Sequence, residues 1–202
     1  MAKVKLTKTE LKAQTDALKR FQRFLPMLQL KKQQLQGEIA AISAKADETA
    51  ERENALRREV GRWVGLLATD ESLVDGLVTV KGVHTGTANI AGVAIPTFES
   101  IETDVRETDP WSAPAWVDAA SEAAVKILSL QNERAVYEEQ RRLVSEELQR
   151  TSQRVNLFEK VKIPECREAI RVIKIALGDE QTAAVARGKI AKSRAPEGEV
   201  PA

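Results

Sequence analysis

Histidine and cysteine each occur once in the 202 residues, as His84 and Cys166. One cysteine excludes an internal disulfide and fits a reducing compartment. A buried or half-buried thiol explains it more simply than a nucleophile does. One histidine excludes histidine-based metal clusters and any triad that needs a second imidazole. Standing among Gly82, Gly86 and Gly92, His84 reads as a turn or surface residue rather than a lone general base. Those glycines are not followed by the Gly-Lys-Ser/Thr that a phosphate-binding loop requires. Aromatic residues make up only 4% of the chain, fewer rings than a compact globule of this length would bury. No apolar run approaches the ~18 residues that span a bilayer, and MAKVKLTKTELK has no apolar signal core. The expectation is no direct membrane insertion: a protein working at a membrane would be held there by partners. Charge of one sign is also missing. With 31 Lys and Arg against 30 Asp and Glu, the net charge is +1, so no general attraction to nucleic acid is expected.

What is present is charge of both signs, 30% of all residues, mixed with Ala, Leu and Gln. These are good helix formers, and the mixture points to long solvated helices rather than a thick core. The first helical segment runs from about Thr7 to about Ala68. Thr7 and Glu10 form the sequence signature of a capping box, and Leu6 and Leu11 are spaced as a hydrophobic staple. A seven-residue repeat follows. One seam is Leu11, Leu18, Leu25, Lys32, Ile39, Ala46, Glu53 and Val60. The other is Gln14, Phe21, Leu28, Leu35, Ile42, Thr49, Leu56 and Trp63. A stripe this long is a coiled-coil pattern. Pro26 should kink the helix without ending it, and Lys32 and Glu53 are imperfections that cost stability but can set register.

Between about Thr69 and Pro114 the helix formers give way to Gly, Thr and Val. Short alternating patterns at Val78 and Val80, at Val93 and Ile95, and at Ile101, Thr103 and Val105 predict two or three short strands. Pro96 suits an edge or a bend. The second long segment runs from about Ala115 to Ala176, with Pro114, Asp118 and Glu122 suited to its start. One seam can be drawn through Ala120, Ile127, Arg134, Arg141, Leu148 and Val155, with Ala123, Leu130, Tyr137, Val144, Thr151 and Phe158 beside it. Val136, Leu143 and Leu157 widen the apolar face and leave its register open. Pro164 marks a bend. Gly178 and Asp179 either end the helix or weaken it, and a further helical run, Glu180 to Lys192, is expected before the polar tail SRAPEGEVPA, read as disordered.

Each long segment is about sixty residues, or about 90 Å of helix. Neither can hide its stripe alone, so the two should fold back on each other. The predicted fold is mainly α, a long antiparallel two-helix coiled coil with a small β-hairpin element inserted between the helices. The expected divisions are 1–68, 69–114, 115–195 and a tail of 196–202. The tryptophans read as anchors where the helices meet the knob. The arginine runs at Arg57, Arg58 and Arg62 and at Arg141 and Arg142 have acidic neighbours and no aromatic platform, and so read as helix surface. No catalytic constellation and no cofactor or metal site is expected.

Four strings meet a known family. RVNLFEKVKIP (Arg154 to Pro164) followed by EAIRVIKIALGDE (Glu168 to Glu180) resembles the C-terminal signature of the D subunit of V/A-type ATPases, the central rotor stalk. RGKIAKSR (Arg187 to Arg194) resembles that family's basic helical end, NIAGVAIPTFE (Asn89 to Glu99) its hairpin segment, and LPMLQLKKQQL (Leu25 to Leu35) its first helix in bacterial form. The resemblance implies a non-catalytic shaft that transmits torque between ATP synthesis or hydrolysis in a catalytic ring of A and B subunits and proton or sodium transport through a membrane ring. It further implies a small stalk partner, the F subunit, an adaptor of the C/d type, and a peripheral place on the cytoplasmic side of a bacterial plasma membrane. By carry-over, Asn89, Ile90, Ala91, Gly92 and Val93 belong to the knob that touches stalk partners, and Arg154, Asn156, Leu157, Phe158, Glu159 and Pro164 belong to the shaft. Lys189 and Lys192 are expected, from charge and position, to meet acidic loops of the ring. The competing readings are a prefoldin-like chaperone subunit, for which the ends are too polar and the hairpin too short, and a generic coiled-coil scaffold.

Overall fold

The computed structural model describes residues 5–63, 65, 76–106, 114 and 116–194. Its elements are α1 (Lys8–Gly61), β1 (Val78–Ile90), β2 (Val93–Val105), α2 (Trp116–Leu157), a π turn (Phe158–Lys162) and α3 (Ile163–Arg194). The expected end of the first segment near Ala68, the tail from 196 and Trp111 lie outside the described residues. The chain divides into two compact units, one made of residues 1–30 and 152–202, the other of 31–151.

α1 starts where the sequence places it, but with half of the capping box. The Glu10 amide donates to Thr7 Oγ1 at 3.2 Å, whereas the Glu10 carboxylate turns forward to accept from Gln14 Nε2 at 2.8 Å. Pro26 lies inside the unbroken helix. Every position of the two seams from Leu11 to Trp63 is buried or half-buried. The seven-residue spacing therefore identifies the covered face of α1 over its whole length.

In the middle unit the helices run antiparallel. Lys31 Nζ meets Glu147 Oε1 at 2.8 Å near one end, and Gln131 Nε2 meets Glu53 Oε1 at 3.1 Å further along. The strict seam drawn on α2 needs correction: Arg134 and Arg141 are exposed, while Val136, Gln140, Val144, Thr151 and Val155 are buried. The physical reason is a third element. Gln140 turns inward to donate from Nε2 to the Pro96 carbonyl of β2 at 2.6 Å, so contact with the hairpin as well as with α1 decides which face of α2 is covered.

The expected two or three short strands are two strands of thirteen residues in one antiparallel hairpin. The second and third apolar patches merge into β2. The register shifts between Val80 and Gly82 and again between His84 and Thr85. These irregularities leave Lys81 extra on β1 and Glu99 extra on β2, and such bulges twist the ribbon and blunt its open edges. Pro96 pairs with Thr87, and a two-stranded sheet offers only edge positions, where a missing N–H is tolerated.

Two apolar clusters hold the hairpin to the helices. At its base Leu77, Val117 and Ala120 are buried against Val78, Trp63 and Trp116, so two tryptophans anchor the place where both helices meet the β element. At its tip Ile95 joins Leu35, Ile42 and Val144, with Ile90, Ala91 and Val93 packed around them. A thirteen-residue strand is about 43 Å long. The helix from Trp63 back to Ile39 is about 36 Å. The ribbon therefore lies back along the helices that flank it.

Candidate partner-binding surfaces

At the hairpin tip Ile90 pairs with Val93, leaving Ala91 and Gly92 as the turn. Both have positive φ, 51° and 84°, as a type I′ turn requires. Gly92 adopts that conformation freely, while Ala91 is strained. The Gly92 amide donates to Asn89 Oδ1 at 2.9 Å. Of the five knob residues, Asn89 and Gly92 are exposed, whereas Ile90, Ala91 and Val93 are half-buried on the chain's own core. A shallow cleft of about 380 Å³ opens between Ala91 and Gln34, Gly37 and Glu38 of α1.

The residues around the π turn that the resemblance assigns to a shaft form a second group. Arg154, Asn156, Leu157, Glu159 and Pro164 are exposed. Phe158 is half-buried and packs on Phe21 with ring centroids 5.0 Å apart and planes tilted by 52°. The Ile163 amide donates to the Phe158 carbonyl, the i→i−5 bond that defines a π turn.

The third group is the end of α3. The helix does not stop at Gly178 but continues to Arg194, and every residue from Gly178 to Arg194 is exposed. Lys189 and Lys192 lie there with Arg187, Arg194 and two exposed apolar residues, Val185 and Ile190. Some cations elsewhere on the helices are paired, Arg142 with Glu139 and Glu146, Arg134 with Glu138 and Arg171 with Glu168. Those bonds hold the Glu139 and Glu168 carboxyls below the usual range. Among the described residues Arg187, Lys189, Lys192 and Arg194 face no carboxylate. Four cations in the last two turns are also well placed against the helix dipole.

Near-zero net charge conceals a strong segregation. The terminal unit, 1–30 with 152–202, holds 17 Lys and Arg against 9 Asp and Glu, or +8, and the middle unit holds 14 against 21, or −7. Among the described residues no three His, Cys, Asp or Glu side chains gather as a metal site. His84 is exposed, with Nε2 3.8 Å from Glu102 Oε2, and burial raises the Cys166 thiol pKa above its ordinary value. No helix among the described residues is long and apolar enough to cross a membrane.

The family model for the ATP synthase D subunit matches residues 10–193. The chain belongs to that family. It is 45% identical over 193 residues to the D subunit of the V-type ATP synthase of Borreliella burgdorferi, covering 96% of this chain and 95% of the relative. The V-type ATP synthase D subunit of Chlamydia muridarum is 30% identical over 197 residues, with 96% of each chain covered, and that of Chlamydia trachomatis 34% over 200 residues, with the same coverage. Membership in this family ties the chain to ATP synthesis and ion transport by a V-type enzyme, and sets aside the chaperone and scaffold readings. The match includes the three surfaces described above except Arg194.

Two features of this D subunit escaped the sequence reading. Phe24, Met27 and Leu30 are 47%, 62% and 58% exposed. They flank or oppose the α1 seam, and apolar residues at such positions were the available signal. The charge segregation was also legible, by counting charges segment by segment rather than over the whole chain.

Proposed function

We propose that this chain is the central rotor shaft of a V-type ATP synthase, a non-catalytic subunit that carries torque between a catalytic ring of A and B subunits and the membrane ring. Its further partners on this reading are the small F subunit of the stalk and an adaptor of the C/d type. Those contacts hold it peripherally on the cytoplasmic side of the membrane.

The observation that carries the reading is the uncovered end of α3. Among the described residues this end of α3 has no intrachain cover and its four cations face no carboxylate, so a helix of this length in water gains little from its own fold. It makes physical sense as a part that another body surrounds. The +8 terminal unit favours an acidic socket and steers its own insertion. Exposed ion pairs are worth only about 0–1 kcal/mol each, so contacts can form and break as the shaft turns. The seam of α1 supplies stiffness, because a paired helix resists twist and bending better than a single one.

The test is the reconstituted complex carrying Lys189→Ala with Lys192→Ala. ATP hydrolysis coupled to ion transport should fall, or assembly should become sensitive to moderate salt. Unchanged assembly and unchanged coupling would remove these lysines from the ring contact. A shaft deleted from Gly178 onward that still couples fully would overturn the reading itself.

A further inference from the structure

The burial pattern changes phase at the π turn. Before it, Thr151 and Val155 are buried and Phe158 is half-buried, at the four-then-three spacing of a heptad seam. A strict continuation would cover Lys162, Glu165, Ala169 and Val172. Of these Ala169 is buried and Lys162 half-buried, but Glu165 is exposed and Val172 is 39% exposed; the other buried residues are Ile163, Cys166 and Ile173, with Ile170 and Leu177 half-buried. From Phe158 to Ile163 the seam steps five residues where the heptad allows four. The sequence beyond Phe158 is therefore written one residue out of phase with the sequence before it.

We propose that the π turn at Phe158–Lys162 is a phase joint, which absorbs that extra residue so that one apolar seam runs through both halves of the helix. A continuous α-helix would rotate everything after Lys162 by about 100° relative to the observed arrangement. That rotation would turn exposed Glu165 into the seam and buried Cys166 and Ile173 out of it. The exchange is so unfavourable that the joint is locked rather than bistable. Insertions of this kind are the recognised way to change phase in a helix pair, and a single π turn is the smallest structure that accepts one. The Phe158 ring on Phe21 fixes the upstream side, and buried Ile163 fixes the downstream side. Pro164 is exposed and sits two positions past the turn. Its missing N–H fits there, but the phase of the apolar residues, not the proline, sets the joint.

Cys166, the single cysteine, is 6% exposed and reports the phase directly. The experiment follows the rate of thiol labelling in the full-length chain, with helicity by circular dichroism. Pro164→Ala should keep Cys166 protected, labelling at least about tenfold more slowly than the unfolded chain. Deleting Lys160 should also keep it protected, because the downstream seam then falls into heptad phase without a π turn, and should raise the melting temperature. Inserting one alanine after Lys160 should expose Cys166 while the chain stays helical. If Pro164→Ala alone exposes the thiol, the proline causes the turn and the proposal fails. It fails equally if the Lys160 deletion remains helical yet labels at the unfolded rate.

Discussion

Gln131 donates from Nε2 to Glu53 Oε1 at 3.1 Å across the helix pair, joining residues 78 positions apart. The same carboxylate oxygen lies 2.7 Å from the Arg57 guanidinium, and Glu53 is only 6% exposed. A charged residue in an apolar seam costs desolvation, and its bonds do little more than offset that cost. What it contributes is register, since sliding either helix by one turn would separate the two groups.

Removing one partner should therefore hurt more than removing both. Gln131→Ala should destabilise the chain by about 1–2 kcal/mol, because the carboxylate loses a bond without regaining water. The double change Glu53→Leu with Gln131→Leu should be neutral or stabilising by about 1 kcal/mol. Urea denaturation of the three proteins gives the comparison. A double variant as unstable as the single one would mean that the pair contributes net stability and not only register.

The hairpin turn offers a gain instead of a loss. Ala91 sits at φ 51°, a region that costs an ordinary L-residue about 1–2 kcal/mol. Asn-Gly is the preferred pair for this turn, and the neighbouring cleft beside Gln34 and Glu38 leaves room for an amide. Ala91→Asn should stabilise the chain by about 1 kcal/mol, whereas Ala91→Val, branched at Cβ, should cost about 2 kcal/mol. Thermal melts decide this. A lower melting temperature for Ala91→Asn would show that the methyl packing against the core outweighs the backbone strain.

These pairs also show where sequence reasoning reaches. The α1 stripe could be read in full because its covered face keeps a seven-residue period throughout, even where the hairpin tip packs beside Leu35 and Ile42. Glu53 and Lys32 stood out as breaks in the stripe, but only the fold shows that Gln131 answers the first. On α2 the same method misplaced Arg134 and Arg141. There the hairpin covers part of the surface, and a bond such as Gln140 to the Pro96 carbonyl leaves no trace in spacing. The phase change after Phe158 is invisible to any strict count of seven. The bulge at Glu99 similarly hides β2 as two short patches. Gly178 did not break the helix, since a single glycine costs only about 1 kcal/mol and good helix formers follow it. For the candidate surfaces, residue type marked the cationic end of α3. It could not reveal that Ile90, Ala91 and Val93 spend much of their area on the chain's own core.

The exposed stripe on α1 separates folding from assembly most cleanly. Phe24, Met27 and Leu30 leave about half or more of their surface in water, and lie outside the seam that Leu25 and Leu28 occupy. Replacing all three with Gln changes helix propensity little and removes no fully buried side chain, so melting should shift by no more than a few degrees. Apolar side chains gathered on an otherwise charged helix are the kind of patch that partners cover. The triple variant should therefore fold normally yet capture A and B subunits at least about tenfold less well, a loss of about 1.4 kcal/mol. Melting and capture are to be measured on the same preparation. Normal capture would leave the stripe without a role in the ring contact, and a large drop in melting temperature would show that these side chains support the helix pair itself.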